Sequence, residues 1–298
     1  MDIKTVLIVG SGTMGLQIAL QFAIHGFEVH LYDVSQEALD TAMDNIDALL
    51  DQLLDSGYAQ EDKDIVLKRI AATTDIEQAA RDVDFVNESI IEDPDVKGKV
   101  FAQLNELCPQ RAIFTSNTSQ LVPSAFADKT GRPDRFLAFH FGNPVWEQYQ
   151  VDVMPHPGTD PEAVQVTVDL CPKIRQFPIV FQKEFPGFIH NHLMKAYMKA
   201  AFEIVVDGVA DFKDIDRVWL ISEGSMPPFA KLDFMSIDTS YQSAKVAAEQ
   251  DKDPFAIKFA QYLYDNFISK GKLGVKTGEG FYKYPNPEYE QEGFIEKF

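Results

Sequence analysis

Three glycines and one acid carry the first chemistry in this chain. Gly10, Gly12 and Gly15 form G-x-G-x-x-G, and Asp33 follows 18 residues after Gly15 and 21 after Gly12. The first glycine permits a tight turn, the second lets backbone approach a pyrophosphate, and the third lets a helix pack on a strand. Thr13 and Met14 fill the same turn and are expected to face the phosphates, as the N–H groups and the dipole of the following helix do. An acid at the distance of Asp33 accepts hydrogen bonds from a ribose 2′-OH and repels a 2′-phosphate, so NAD is the expected cofactor rather than NADP. Farther along, Glu88, Asn117, Ser119 and His140 fall at or just after the ends of apolar runs, where side chains line the ligand crevice of a parallel sheet. An imidazole placed there is suited to proton exchange near neutral pH.

Those residues need a frame, and the apolar pattern supplies one. Lys4 to Val9 and Phe27 to Tyr32 read as strands around the glycine turn and its helix. Leu39, Met43, Ile46, Leu50 and Leu54 recur at helical spacing opposite Asp40, Asp44, Asp47, Asp51 and Asp55, which predicts an amphipathic helix with a solvated acidic face. Ser56 to Asp64 reads as a polar connection. Strands are expected at Arg69 to Thr73, Val83 to Ser89, Ala112 to Ser116, Arg135 to His140, Gln150 to Met154 and Gln176 to Val180. Helices are expected between the third and fourth strands, over Asp95 to Glu106, from Pro123, and over Pro161 to Cys171. This βαβα rhythm calls for a mostly parallel sheet covered on both faces. After Pro186 the strand signal fades. Gly187 to Val206 is apolar all round, which suggests a buried helix, and further helices are expected near Asp214 to Ser222 and Pro254 to Ser269. The fold class is therefore α/β, with an N-terminal, Rossmann-type, doubly wound sheet over residues 1–185 and an all-helical C-terminal domain over 186–298.

Lys and Arg total 27 against 46 Asp and Glu, a formal charge of −19, which argues against nucleic acid as a partner. The stretch from Asp33 to Asp64 holds ten acids and one base, Lys63. Cys108 and Cys171 are far apart and suggest neither disulfide framework nor metal knuckle, so a reducing cytoplasm is expected. His190 and His192, two apart on a helix, point away from one another, and no metal site is expected. The first strand begins within three residues of Met1, leaving no room for a signal peptide, and no apolar run approaches the roughly 18 residues that span a bilayer.

Four further motifs complete a pattern: S-N-T-S at Ser116 to Ser119, H-F-x-N-P at His140 to Pro144, P-G-F-I-x-N at Pro186 to Asn191, and K-T-G-E-G-F-Y-K-Y at Lys276 to Tyr284. In order and approximate spacing, over nearly the whole chain, this resembles the 3-hydroxyacyl-CoA dehydrogenase family. The resemblance implies reversible NAD-linked oxidation of an L-3-hydroxyacyl thioester to its 3-oxo form, and a homodimer built on the helical domain. It also implies roles. His140 matches the family's catalytic histidine, and Ser119 and Asn191 match residues that hold the substrate oxygen. Asn143 falls on the nicotinamide side of the site, Glu92 and Lys97 at positions near the cofactor, and Lys276 at the late lysine that reaches toward it; Asn117, at its strand end, is expected among the cofactor-binding residues. The histidine's partner carboxylate, a glutamate in the family, is Asp152 here. One methylene shorter, it requires a closer backbone or a looser, water-bridged contact.

Two other departures concern the substrate. H-F-F-N-P becomes H-F-G-N-P, followed by Trp146 and Glu147, and a usual G-P-F becomes Pro227-Pro228-Phe229. The acidic stretch after the second strand is a poor electrostatic host for the 3′-phosphate of CoA. The expected substrate is a short to medium L-3-hydroxyacyl-CoA. The alternatives are a same-fold dehydrogenase of a free 3-hydroxy acid, resembling gulonate or carnitine dehydrogenases, and a non-catalytic NAD-binding protein.

Overall fold

Thr5–Val9 is apolar after its first residue and forms β1, buried on both faces as a central strand of a parallel sheet must be. A computed structural model of the chain describes residues 1–250 and 252–296. In chain order, the first part continues with α1 (Thr13–Ile24), β2 (Glu28–Tyr32), α2 (Gln36–Asp55), α3 (Lys63–Lys68), β3 (Ile70–Thr73), α4 (Ile76–Ala80) and β4 (Phe85–Glu88). Then come α5 (Pro94–Leu107), β5 (Ile113–Ser116), β6 (Phe136–Phe141), β7 (Gln150–Pro155), α6 (Pro161–Leu170) and β8 (Phe177–Val180). The eight strands form one sheet in the order β3-β2-β1-β4-β5-β6-β7-β8. Only β6 and β7 pair antiparallel. Strand order reverses between β1 and β4, which opens a crevice above their carboxyl ends.

The amphipathic reading of α2 holds in its physics. Leu39, Ala42, Ile46, Leu50 and Leu53 are buried, and the five aspartates face solvent. Lys63 bridges two of them, at 2.9 Å from Asp47 and 2.8 Å from Asp51. The expected polar connection contains the start of α3, capped by the Asp62 carboxylate on the Asp64 N–H at 3.0 Å. The helix expected from Pro123 is instead three short 3-10 turns, Pro123–Ala125, Ala127–Thr130 and Pro133–Arg135. Gly131 takes φ +77°, and Pro133 has no N–H to continue a ladder. What holds this segment is Arg132, whose guanidinium donates to Asn105 Oδ1 at 2.8 Å and to the Pro109 carbonyl at 2.8 Å while lying 4.2 Å over the Phe114 ring. Phe101 lies 5.5 Å from the Phe114 ring, and Phe101, Phe126 and Phe136 pack against one another at centroid distances of 5.1 to 6.2 Å.

The chain divides into two compact units, Met1–Ile189 and His190–Phe298. The second is helical: α7 (Ile189–Val206), α8 (Phe212–Glu223), α9 (Pro228–Met235), α10 (Ile237–Gln250) and α11 (Pro254–Asn266). The all-round burial expected of the first helix is not found. Of α7 only Met198, Ala201 and Phe202 are buried, and Leu193 is 61% exposed. The Pro227-Pro228-Phe229 departure opens α9, and the Phe229 N–H donates to the buried Asp216 at 3.0 Å.

Two buried carboxylates organise this unit. Asp233 accepts from the N–H groups of Phe281 and Tyr282, both at 2.8 Å, and from the Tyr284 hydroxyl at 3.1 Å. Asp216 accepts from the Tyr282 hydroxyl at 2.7 Å. The G-E-G-F-Y-K-Y segment is thereby a docking strap, and a Cβ on Gly280 would lie 2.0 Å from Asp233 Oδ1. Burial pushes both carboxyls up to about 6, against the pull of their donors. The folded state then holds protons that an unfolded aspartate, ordinarily near 3.8, has released, so this contribution to stability is lost as pH rises from about 4 to about 6. Asp233→Asn, which puts an amide NH₂ against two donors, is expected to cost about 1–3 kcal/mol at pH 5. The deficit should shrink toward pH 7, because the contribution of Asp233 falls in the parent alone over that interval, whereas that of Asp216 falls in both proteins. Urea unfolding at the two pH values checks it, and a deficit that widens would contradict it.

Candidate active site

The glycine turn joins β1 to α1. A Cβ on Gly15 would sit 1.8 Å from the Gly10 carbonyl oxygen, so helix and turn approach as closely as only glycine allows. A Cβ on Gly12 would meet nothing within 4 Å. The chain itself does not need that glycine small; a ligand lying on the turn would. No side chain caps the start of α1, which leaves its first N–H groups for an anion. Thr13 is exposed and Met14 half-buried at this turn. Asp33 is oriented by the Ser11 N–H at 2.8 Å, the Ser11 hydroxyl at 2.9 Å and the Ser35 N–H at 3.1 Å. A cavity of about 540 Å³ opens here, lined by Ser11, Gly12, Thr13, Asp33, Glu37 and Asn45 among others. Its donors, glycines and acid fit the adenosine and pyrophosphate of NAD.

His140 and Asp152 are direct partners across the antiparallel β6–β7 pair. Side chains so opposed start about 4.5–5.5 Å apart at Cβ, on one face of the sheet. The shorter carboxylate therefore reaches: His140 Nδ1 lies 3.1 Å from Asp152 Oδ2, a direct contact with no need of a bridging water. Both side chains are largely buried, and the Phe188 ring lies 4.6 Å from the imidazole, centroid to centroid. With Nδ1–H donated to the carboxylate, Nε2 is the basic nitrogen.

A second charged group lies beside β4. Lys97 is fully buried, 2.6 Å from the equally buried Glu88 and 3.2 Å from Glu92. Glu88 also accepts from the Ser116 hydroxyl at 2.6 Å and the Ile90 N–H at 2.8 Å. Burial raises the Glu88 carboxyl above its ordinary range against these three partners. Glu92 accepts from the Thr118 hydroxyl and from the N–H groups of Ser119 and Gln120, both at 3.1 Å, and these bonds with Lys97 hold its carboxyl below the usual range despite partial burial. Asn117 Oδ1 accepts the Phe141 N–H at 2.9 Å, tying the end of β5 to the end of β6. Glu92 and Lys97 thus clamp the loop that carries Ser119.

The structure gathers His140, Asp152, Asn117, Ser119, Glu92, Lys97 and Asn143 with the glycine turn and Asp33 on one unit. Asn191 and Lys276 belong to the other, Asn191 half-buried in the first turn of α7. Lys276 is held by both oxygens of Asp238 at 2.7 Å. Sequence reading passed over Ser11, Gln17 and Thr118. Two glutamines four residues apart, Gln17 and Gln21, in a largely apolar helix were the available signal for Gln17.

With this geometry in place, comparison with known proteins is decisive. A model of the NAD-binding domain of 3-hydroxyacyl-CoA dehydrogenase matches residues 5–185, and a model of the C-terminal domain matches 187–284. The chain belongs to the 3-hydroxyacyl-CoA dehydrogenase family. It is an NAD-dependent oxidoreductase. A probable 3-hydroxybutyryl-CoA dehydrogenase of Deinococcus radiodurans is 33% identical, over 93% of this chain and 99% of its own. The mitochondrial hydroxyacyl-coenzyme A dehydrogenase of Homo sapiens is 32% identical, over 95% and 91%. Among solved structures, a diketoreductase described for substrate-directed dual catalysis of dicarbonyl compounds is 39% identical with a TM-score of 0.86, covering 95% of this chain and 100% of that one. The (S)-3-hydroxybutyryl-CoA dehydrogenase PaaH1 of Ralstonia eutropha is 30% identical with a TM-score of 0.83, over 96% and 100%. Among the described residues no helix is long and apolar enough to cross a membrane.

The clamp of this family member is testable apart from turnover. Lys97→Met strands the Glu88 charge in the interior and is expected to cost about 3–5 kcal/mol, whereas Glu88→Leu combined with Lys97→Met should recover much of the loss. Denaturant unfolding of the three proteins checks it; a fully destabilised double variant would contradict the pairing.

Proposed function

We propose that this dehydrogenase interconverts a short to medium L-3-hydroxyacyl-CoA and the corresponding 3-oxoacyl-CoA. The observation that carries the proposal is the His140–Asp152 contact at 3.1 Å in a chain whose relatives are named for that substrate class. His140 Nε2 takes the proton of the substrate hydroxyl, and Asp152 stabilises the imidazolium that forms. Ser119, on the loop clamped by Glu92, holds the reacting oxygen where charge develops, and the family resemblance assigns Asn191 the same task. Asp33 takes the ribose hydroxyls, with the turn at Gly10, Gly12, Thr13, Met14 and Gly15 on the pyrophosphate. Asn143 stands on the nicotinamide side, and Asn117 belongs to the cofactor-binding set. The bound dinucleotide supplies the hydride acceptor.

Two features outside this site bear on assembly and compartment. The helical unit leaves Val218, Ile221 and Phe234 65 to 70% exposed, apolar surface that a homodimer would cover, and light scattering that returns a monomer would contradict it. Cys108 and Cys171 are free and buried, with thiols pushed up to about 12, which suits a reducing cytoplasm.

The acidic face of α2 favours a second reading, a free 3-oxo or 3-hydroxy acid, and the dicarbonyl chemistry named for the diketoreductase relative supports it. NADH oxidation with acetoacetyl-CoA beside free acetoacetate separates the two. The first reading expects preference for the thioester, with kcat/KM rising as salt screens the aspartates. Turnover of free acids alone would replace it by the second. His140→Gln should lower kcat by about 10²–10⁴ and leave NADH affinity within about twofold. Full activity in that variant would remove His140 as the base.

A further inference from the structure

Gln17 lies one turn into α1, 6% exposed, on a helix whose other buried side chains are apolar apart from Gln21. Both ends of its amide are engaged. Nε2 donates to Asn143 Oδ1 at 3.1 Å and to the Thr13 carbonyl at 3.1 Å, and Oε1 accepts the Val145 N–H at 3.1 Å. One side chain thus joins the helix of the glycine turn to the loop between β6 and β7 at two points. The loop is otherwise closed on itself: Gln148 Nε2 donates to the Asn143 carbonyl at 2.7 Å, and the Gln148 N–H to the Pro144 carbonyl at 2.9 Å. A Cβ on Gly142 would lie 2.5 Å from the Gln148 Cβ, so the loop packs tightly where the family motif carries a larger residue.

This arrangement decides which end of the Asn143 amide is available. Its Oδ1 is taken by a donor, and its Nδ2 has no partner among the described residues. We infer that Gln17 is a positioning residue that fixes Asn143 with its NH₂ group outward, so that Asn143 offers a donor to the carboxamide oxygen of the nicotinamide. The inference rests on the proposed place of Asn143 beside the cofactor and adds which atom of it acts and what holds that atom. An amide free to turn over would present donor and acceptor alike; the Gln17 bond removes one of the two states. It also couples the phosphate end of the cofactor site to the nicotinamide end through a single helical turn.

The experiment is an NADH titration by fluorescence on four proteins: parent, Gln17→Met, Asn143→Ala and the double variant. A side-chain amide NMR spectrum of each cofactor-free protein accompanies it. Asn143→Ala should weaken NADH by about fivefold to tenfold, the value of one hydrogen bond. Gln17→Met should weaken it by a similar factor and broaden or shift the Asn143 NH₂ signals, and the double variant should be no weaker than Asn143→Ala. Losses that multiply would overturn Gln17 as acting through Asn143. An Asn143→Ala variant with parental NADH affinity would instead remove Asn143 from the cofactor site. Should Gln17→Met fail to fold, Asn143→Asp serves alone: it keeps the acceptor for Gln17 but replaces the outward donor by an oxygen. It should lose as much NADH affinity as Asn143→Ala with unchanged thermal stability, and parental affinity in that variant would overturn the outward donor.

Discussion

The imidazole of His140 faces the carboxylate of Asp152 because the sheet contains one antiparallel pair. In the parallel part of the sheet each return to the same end requires a crossover of a dozen or more residues, usually through a helix. Between β6 and β7 the chain turns back at once, so a residue twelve positions later stands directly opposite His140. That register does two things. It puts acid and base on the same face, and it brings them near enough that an aspartate completes the contact a longer side chain makes elsewhere in the family. The rest of the first unit supports this pair. Asn117 ties β5 to β6, the Phe188 ring lies beside the imidazole, and α1 reaches across to the loop through Gln17.

Charge is handled differently at the two ends of the site. Beside β4, Glu88 and Lys97 are taken out of water together, with Ser116 and Ile90 satisfying the remaining carboxylate positions. Such a pair adds little net stability, but it cannot rearrange without stranding a charge, so it specifies one geometry for the loop that Glu92 holds. On α2 the charges stay in solvent, and the one base of the acidic stretch, Lys63, is already shared between Asp47 and Asp51. A polyanionic substrate would meet that face largely uncompensated. A small carboxylate or dicarbonyl would not need to approach it.

Legibility followed from how local each feature is. The glycine turn, Asp33 and the eight strands were readable because periodicity and spacing within about thirty residues determine them. His140 with Asp152 was readable as a pair through family spacing; only the register shows why aspartate suffices. Where a residue's partner lies far along the chain, the sequence is silent. Gln17 and Asn143 are 126 apart, and a glutamine in α1 does not say which residue it meets. Asp233 with the strap at Phe281 is another such case, and the C-terminal motif, read for its lysine, proved to hold a buried carboxylate. The helix expected from Pro123 failed for the same reason: Arg132 and its aromatic bed, assembled from Asn105, Pro109 and Phe114, outweigh local helical preference. The apolar run of α7 reads as a buried helix because a high apolar fraction does not say which side chains are covered, and Leu193 is 61% exposed.

The central claim is that Asp152 holds His140 with Nδ1 protonated and Nε2 free as the base. The most direct measurement is ¹⁵N NMR of the imidazole nitrogens, near pH 8, in the parent and in Asp152→Asn. The account predicts that the His140 resonances of the parent are those of the Nδ1–H tautomer, with a downfield, slowly exchanging Nδ1 proton, and that Asp152→Asn abolishes this preference. A His140 protonated at Nε2 in the parent, or a tautomer balance indifferent to residue 152, would contradict it.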